Sequence, residues 1–109
     1  MFSFDAGRRH GTTGQGYSFT SWIVEAVWQR APIIPGFDSA VWRQDSCEAR
    51  MRRDAYGDTT ENGFGWEVDH VLAVANGGSD DLWNLQALQW QNNRAKSDGP
   101  LRFAVTWRK

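Results

Sequence analysis

Residues 65–98 read GWEVDHVLAVANGGSDDLWNLQALQWQNNRAKSD. They hold an Asp-His pair (Asp69, His70), Asn76 before Gly77 and Gly78, an Asn-Leu-Gln run from Asn84, and Asn93-Arg94-Ala95-Lys96. These residue types match the needs of phosphodiester hydrolysis by water: a base for the nucleophile, a cation for the phosphoryl and leaving oxygens, and positive charge nearby. His70 is the natural base, because an imidazole with an ordinary pKa near ~6.5 is largely neutral at working pH. The other histidine, His10, lies in a Gly-rich stretch far from these residues. Asp69 and Asn93 offer hard oxygen donors, which suit Mg²⁺, with Mn²⁺ as substitute, better than zinc. Arg94 and Lys96 are of the kind that contacts phosphate.

The elements that must carry these groups follow from punctuation and periodicity. A strand over 66–70, a loop over 73–81, a strand over 85–88 and a helix over 89–97 place Asp69-His70 at a strand end and Asn93 on the helix. Gly99-Pro100 closes that helix, and 101–107 alternates as a final strand or extended tail. In a regular strand Asp69 and His70 point to opposite faces, so the strand is expected to end or bend at about His70 if both serve one site. Glu67 shares the face of Asp69 and is either an accessory ligand or a solvent-facing carboxylate. Asn84 either ties the loop or merely brackets a turn, and Asn93, Arg94 and Lys96 have the alternative of being solvated helix residues.

Upstream, residues 1–17 are rich in Gly, Thr and Arg and are expected to form a flexible arm, with order beginning near Ser18. Ser18 or Thr20 can cap a helix over 21–30 whose apolar face includes Trp22, Val24, Val27 and Trp28. Pro32, Pro35 and Gly36 end it; 42–44 and 49–53 read as a short hairpin, and 56–65 as a loop of turn formers.

The chain has 109 residues with 40% hydrophobic content, enough for one small core. Seven tryptophans supply much of the buried area such a fold otherwise lacks, with Trp83 and Trp107 expected to be the exposed exceptions. The formal net charge of -1 excludes a generally basic surface, but ten of the twelve basic residues are arginine, clustered at 50–53, at 94–96 and at 102–109. Arg52 and Arg53 are therefore candidates for nucleic-acid contact, against the alternative of a solvated strand paired with Asp54, Asp45 or Glu48. The single cysteine, Cys47, permits neither an internal disulfide nor a zinc knuckle, so no structural zinc is expected. There is no signal-peptide pattern and no apolar run long enough to span a bilayer; a cytoplasmic protein is expected, although a toxin exported without a leader would look the same.

In order and spacing, Asp69-His70, Gly77-Gly78, Asn84-Leu85-Gln86 and Asn93-x-x-Lys96 resemble the HNH endonucleases, whose ββα-metal core also occurs in colicin-type DNases and in one nuclease domain of RNA-guided CRISPR effectors. Pro35-Gly36-Phe37-Asp38, Trp42-Arg43-Gln44-Asp45 and Tyr56-Gly57 resemble the lead-in of small free-standing bacterial members, extending a weaker similarity over about 28–98. The resemblance implies an α+β fold: a ββα-metal core with an N-terminal helix and a short extra β-hairpin, one domain over 18–109 with its motif core at 65–98. It implies a DNA endonuclease that nicks with weak sequence selectivity, His70 as base, Asp69 and Asn93 as metal ligands, and Asn84 orienting the base. The signature is His-Asn-Asn, with Asn93 where many members have a second metal-binding histidine. As in the CRISPR-effector version, Asn93 rather than Asn92 is implied as the ligand. The alternatives are a non-catalytic nucleic-acid-binding subunit of a larger phage or restriction complex, or a toxin nuclease with an immunity partner. A protein partner that supplies specificity is compatible with each.

Overall fold

Two five-residue strands form the centre of the molecule. In the computed structural model, which describes residues 10–96, the element order is α1 (Ser21–Arg30), β1 (Trp42–Gln44), β2 (Arg50–Arg52), β3 (Trp66–His70), β4 (Leu85–Gln89) and α2 (Trp90–Lys96), an α+β arrangement with two small antiparallel sheets. β3 pairs with β4 from Trp66↔Gln89 to His70↔Leu85, and β1 pairs with β2 from Trp42↔Arg52 to Gln44↔Arg50. The Gly99-Pro100 stop expected for the second helix and the strand or extended tail expected over 101–107 lie outside the described residues.

Alternation along the central hairpin sorts its side chains onto two faces. Trp66, Val68, Leu85 and Ala87 face α1 and join Phe19, Val27, Trp28, Ala31 and Met51 in the apolar core, where the Trp28 and Trp66 rings lie 5.2 Å apart. Glu67, Asp69 and Gln86 occupy the other face, over which α2 returns and bonds to both acids. The hairpin thus lies between two helices, one meeting its apolar face and one its polar face.

α1 starts at the expected residue, with Thr20 in extended conformation as N-cap, but neither Ser18 nor Thr20 supplies a side-chain cap. Its buried stripe runs Ile23, Val24, Val27, Trp28 and Ala31 at three- and four-residue spacing. Trp22 falls one position off that stripe and is 68% exposed, correcting its expected place on the apolar face. The helix ends where Ala31 turns extended before Pro32. Arg43, buried beneath it, donates to the Gln29 and Ala31 carbonyls at 2.9 and 3.1 Å and satisfies acceptors that a helix end leaves open.

The β1–β2 hairpin is welded to the start of α2 by Asp45. Its Oδ1 accepts from the Cys47 and Ala49 amides, and its Oδ2 accepts from the Gln89 amide and Asn92 Nδ2, all at 2.9–3.0 Å. Trp66 Nε1 donates to the Arg52 carbonyl at 3.0 Å, tying the same hairpin to β3. Residues 10–17, read from sequence as part of a flexible arm, close a turn in which the Gly16 amide donates to the Thr13 carbonyl and the Thr13 amide to the Tyr17 carbonyl. That turn is held to the domain by Asp80, which accepts from the Gly14 amide. No helix among the described residues is long and apolar enough to cross a membrane.

Candidate active site

The acids of β3 meet α2 as a set of charge-assisted contacts. Glu67 Oε1 accepts from Asn93 Nδ2 at 2.8 Å and Oε2 from Arg94 Nη2 at 3.0 Å. Because Glu67 is buried rather than solvent-facing, its expected alternative as an open edge carboxylate is corrected. One step along the same face, Asp69 Oδ2 accepts from Gln86 Nε2 at 2.9 Å, and Lys96 Nζ lies 3.3 Å away. Lys96 also donates to the His70 carbonyl at 2.9 Å, so this ammonium is a buried partner of the site and not a solvated helix charge. Burial pushes the Asp69 carboxyl above its ordinary range, with the Gln86 hydrogen bond and the positive charge of Lys96 opposing the shift.

His70 lies at the end of β3 on the opposite face, its ring 5.8 Å from that of Phe19. Its Nε2 is 2.7 Å from Asp80 Oδ1, with the imidazole 4% exposed and the carboxylate 44% exposed. Asp80 is in turn held by the Gly14 amide, 2.9 and 3.1 Å from its two oxygens. Sequence reasoning did not single out Asp80: an acid in a Gly-Ser-Asp-Asp stretch reads as a turn former, and no local spacing links it to His70 or Gly14.

The loop between the strands is tied at its base by Asn84. Its Oδ1 accepts from the Leu72 amide at 2.8 Å, and its Nδ2 donates to the Leu72 and Ser79 carbonyls at 3.1 and 2.8 Å. The Val71 amide donates to the Asn84 carbonyl, so both ends of the loop close on one residue. Gly78 is required for this closure, since a Cβ there would lie 1.7 Å from the Leu72 carbonyl oxygen. Gly77 supplies the left-handed turn before it, at φ 94°.

The structure therefore gathers Asp69, Glu67, Asn93, Arg94 and Lys96 at the hairpin–helix interface and sets His70, Asp80 and Asn84 at the hairpin's other face and loop. The strand does not bend before His70, as one shared face would require; pairing continues to His70↔Leu85, and the chain turns after it. Asn92 is directed elsewhere, donating to Asp45. Arg52 and Arg53 sit on and beside β2, paired with Asp54 and Glu25 respectively. Arg50 lies within 4.9–5.2 Å of the Phe37, Trp42 and Phe64 rings, an aromatic cage for its guanidinium. Trp83 is 68% exposed, as expected, and Trp107 lies outside the described residues.

Among the described residues, no group of three or more His, Cys, Asp and Glu side chains is arranged to hold a metal ion. Asp69 and Asn93 lie on the same hairpin–helix interface, each held by its own partner: Asp69 by Gln86 and Lys96, Asn93 by Glu67. The Asn93 amide gives its nitrogen to Glu67, which leaves its oxygen as the donor end, and the Asp69 carboxylate has the Lys96 ammonium 3.3 Å away as the cation that offsets its burial. Two protein oxygens suit Mg²⁺, which retains several waters and is completed by substrate phosphate. A cavity of about 510 Å³, bordered by Glu67, Arg94, Tyr56 and the Gly11–Thr12 backbone, opens beside this interface. Comparison with protein-family models, curated proteins and solved structures finds no match.

Proposed function

We propose that the chain is a metal-dependent endonuclease of the HNH type, with a ββα-metal core, that hydrolyses DNA phosphodiester bonds one strand at a time with weak sequence selectivity. The observation that carries this reading is that Asp69 and Asn93 line one hairpin–helix interface while His70 stands at the end of the same strand with its Nε2 2.7 Å from the Asp80 carboxylate.

In this reading Asp69 and Asn93 hold the ion, which when bound supplies positive charge to a phosphoryl oxygen and the leaving oxygen. A carboxylate only accepts hydrogen bonds, so the contact with Asp80 places the hydrogen of the neutral ring on Nε2 and makes Nδ1 the proton acceptor for the attacking water. Glu67 turns the Asn93 amide by taking its N–H. Arg94, half-exposed at the cavity wall, is the cation best placed to steady a backbone phosphate, while Lys96 balances Asp69 and anchors the strand end through the His70 carbonyl. Asn84 keeps the loop closed around this arrangement. The site of action is the cytoplasm.

The test is incubation of supercoiled plasmid with the full chain in Mg²⁺, Mn²⁺, Zn²⁺ or EDTA, with His70→Ala alongside. Conversion to open circles in Mg²⁺ and Mn²⁺ is expected, lost in EDTA and reduced about 10²- to 10⁴-fold by the substitution, the usual contribution of a general base. DNA binding without cleavage under every ion would instead identify a non-catalytic binding subunit.

A further inference from the structure

We propose that Asp80 is the positioning residue for His70, and that the N-terminal turn belongs to the active site because the Gly14 amide fixes the Asp80 carboxylate. This rests on the reading of His70 as the base.

The geometry carries it in three steps. First, the His70–Asp80 contact is short, 2.7 Å, and the imidazole is almost wholly enclosed, so the ring has little freedom to find a different partner. A carboxylate on one ring nitrogen selects the tautomer and fixes the ring, which is what a base needs and what the strand alone does not provide. Secondly, Asp80 sits on a loop and is 44% exposed, so its carboxylate would ordinarily sample several rotamers. The Gly14 N–H reaches both of its oxygens, at 2.9 and 3.1 Å, and holds the group in plane from 66 residues away. Thirdly, the donor is itself preorganised: Gly14 occupies the second position of a turn closed by Gly16 N–H donating to the Thr13 carbonyl, and the Tyr17 amide also donates to Thr13 Oγ1, at 3.0 Å. Gly11, next to this turn, packs on Glu67, since a Cβ at Gly11 would lie 3.4 Å from the Glu67 Cβ. One short segment therefore touches the acid that holds His70 and the acid that holds Asn93.

The experiment uses the full chain and two readouts. Long-range ¹H–¹⁵N correlation spectra of the neutral His70 ring report which nitrogen carries the hydrogen, and plasmid-nicking kinetics report kcat and KM separately. Wild type is expected to show the Nε2–H form. Asp80→Ala is expected to give a mixture of tautomers and to lower kcat about 100-fold with KM little changed, the upper range for an outer partner of a catalytic or ligating histidine. Asp80→Glu restores a carboxylate at an exposed position and is expected to recover the Nε2–H form and most of kcat. Gly14→Pro, at a turn position that proline suits, replaces the N–H by a ring carbon that displaces the Asp80 carboxylate, and is expected to lower kcat about 10-fold in the same direction. Melting temperatures close to wild type confirm folding in each case. An unchanged tautomer in Asp80→Ala overturns the proposal, as does a changed tautomer with unchanged kcat. If the wild type cleaves nothing, the nuclease reading falls, and the spectra alone decide whether Asp80 orients the ring.

Discussion

The two faces of the central hairpin are built from the same ten residues and obey opposite rules. Towards α1, Trp66, Val68, Leu85 and Ala87 pack against Trp28, Val27 and Met51, and this apolar burial holds the sheet and helix together. Towards α2, Glu67, Asp69, Asn93 and Lys96 are also buried, but each is a polar or charged group retained by a specific partner. Burying charges against charges gives little net stability compared with packed hydrocarbon. With four such groups at the contact between the hairpin and a seven-residue helix, the fold relies on the other face for its stability.

The largest stability effect should come from the apolar face. Trp28→Ala is expected to lower unfolding free energy by about 4 kcal/mol, read from denaturant midpoints, while the remaining folded fraction keeps its metal response. Loss of the metal response in folded Trp28→Ala protein would show that the two faces are not separable.

Asp45→Ala tests the weld between the β1–β2 hairpin and the start of α2. It leaves the Cys47, Ala49 and Gln89 amides and the Asn92 side chain without their acceptor, and should cost about 3 kcal/mol. Because those donors include Gln89, the residue before α2, and Asn92 in its first turn, hydrogen exchange should rise in α2 ahead of α1, sharpening the distinction between a helix held by polar contacts and one held by the core.

A smaller effect distinguishes the faces by pH. The Asp69 pKa is raised above its ordinary 3.8 by burial, so its neutral form is the one the metal-free fold prefers. Its contribution to stability is therefore fully present below the unfolded value and is lost as pH rises through the folded value. Mg²⁺ or Mn²⁺ binds the ionised form, so the ion-induced rise in melting temperature should be absent at the acid end and grow as pH passes upward through that window. Asp69→Asn should remove both the pH-dependent term and the ion-induced rise; an unchanged ion response in that variant would exclude Asp69 as a ligand.

The smallest effect is expected at Arg52, whose exposed pair with Asp54 belongs to neither face. Arg52→Ala should change stability by less than about 0.5 kcal/mol, and DNA affinity by a similarly small amount if the cavity beside Glu67 and Arg94 is where the strand lies. A tenfold loss in DNA affinity by fluorescence anisotropy would move the nucleic-acid surface to the β1–β2 hairpin.

Much of the local structure was legible in the chain. The 21–30 helix, the 42–44 strand and the 66–70 strand begin and end where capping positions, prolines and apolar alternation put them, because those signals act over a few residues. Asn84 was read as a loop tie through the family resemblance, with a simple turn bracket as the alternative, and its bonds to Leu72 and Ser79 make it the tie. Trp22 was misread because its neighbour Ile23, not Trp22, begins the helical stripe, and hydrophobicity alone does not choose between adjacent positions.

Which residue types are present, and which strand face each occupies, was thus determined by sequence: alternation alone separates Asp69 from His70. The partners were decided by tertiary structure. Asp45 finds Gln89 and Asn92, Lys96 finds Asp69, and Asp80 joins His70 to Gly14, across separations of 10 to 66 residues. No local signal encodes such pairs, because a hydrogen bond depends on where packing brings two groups, and the packing of α1 and α2 on either side of one hairpin is a property of the whole domain.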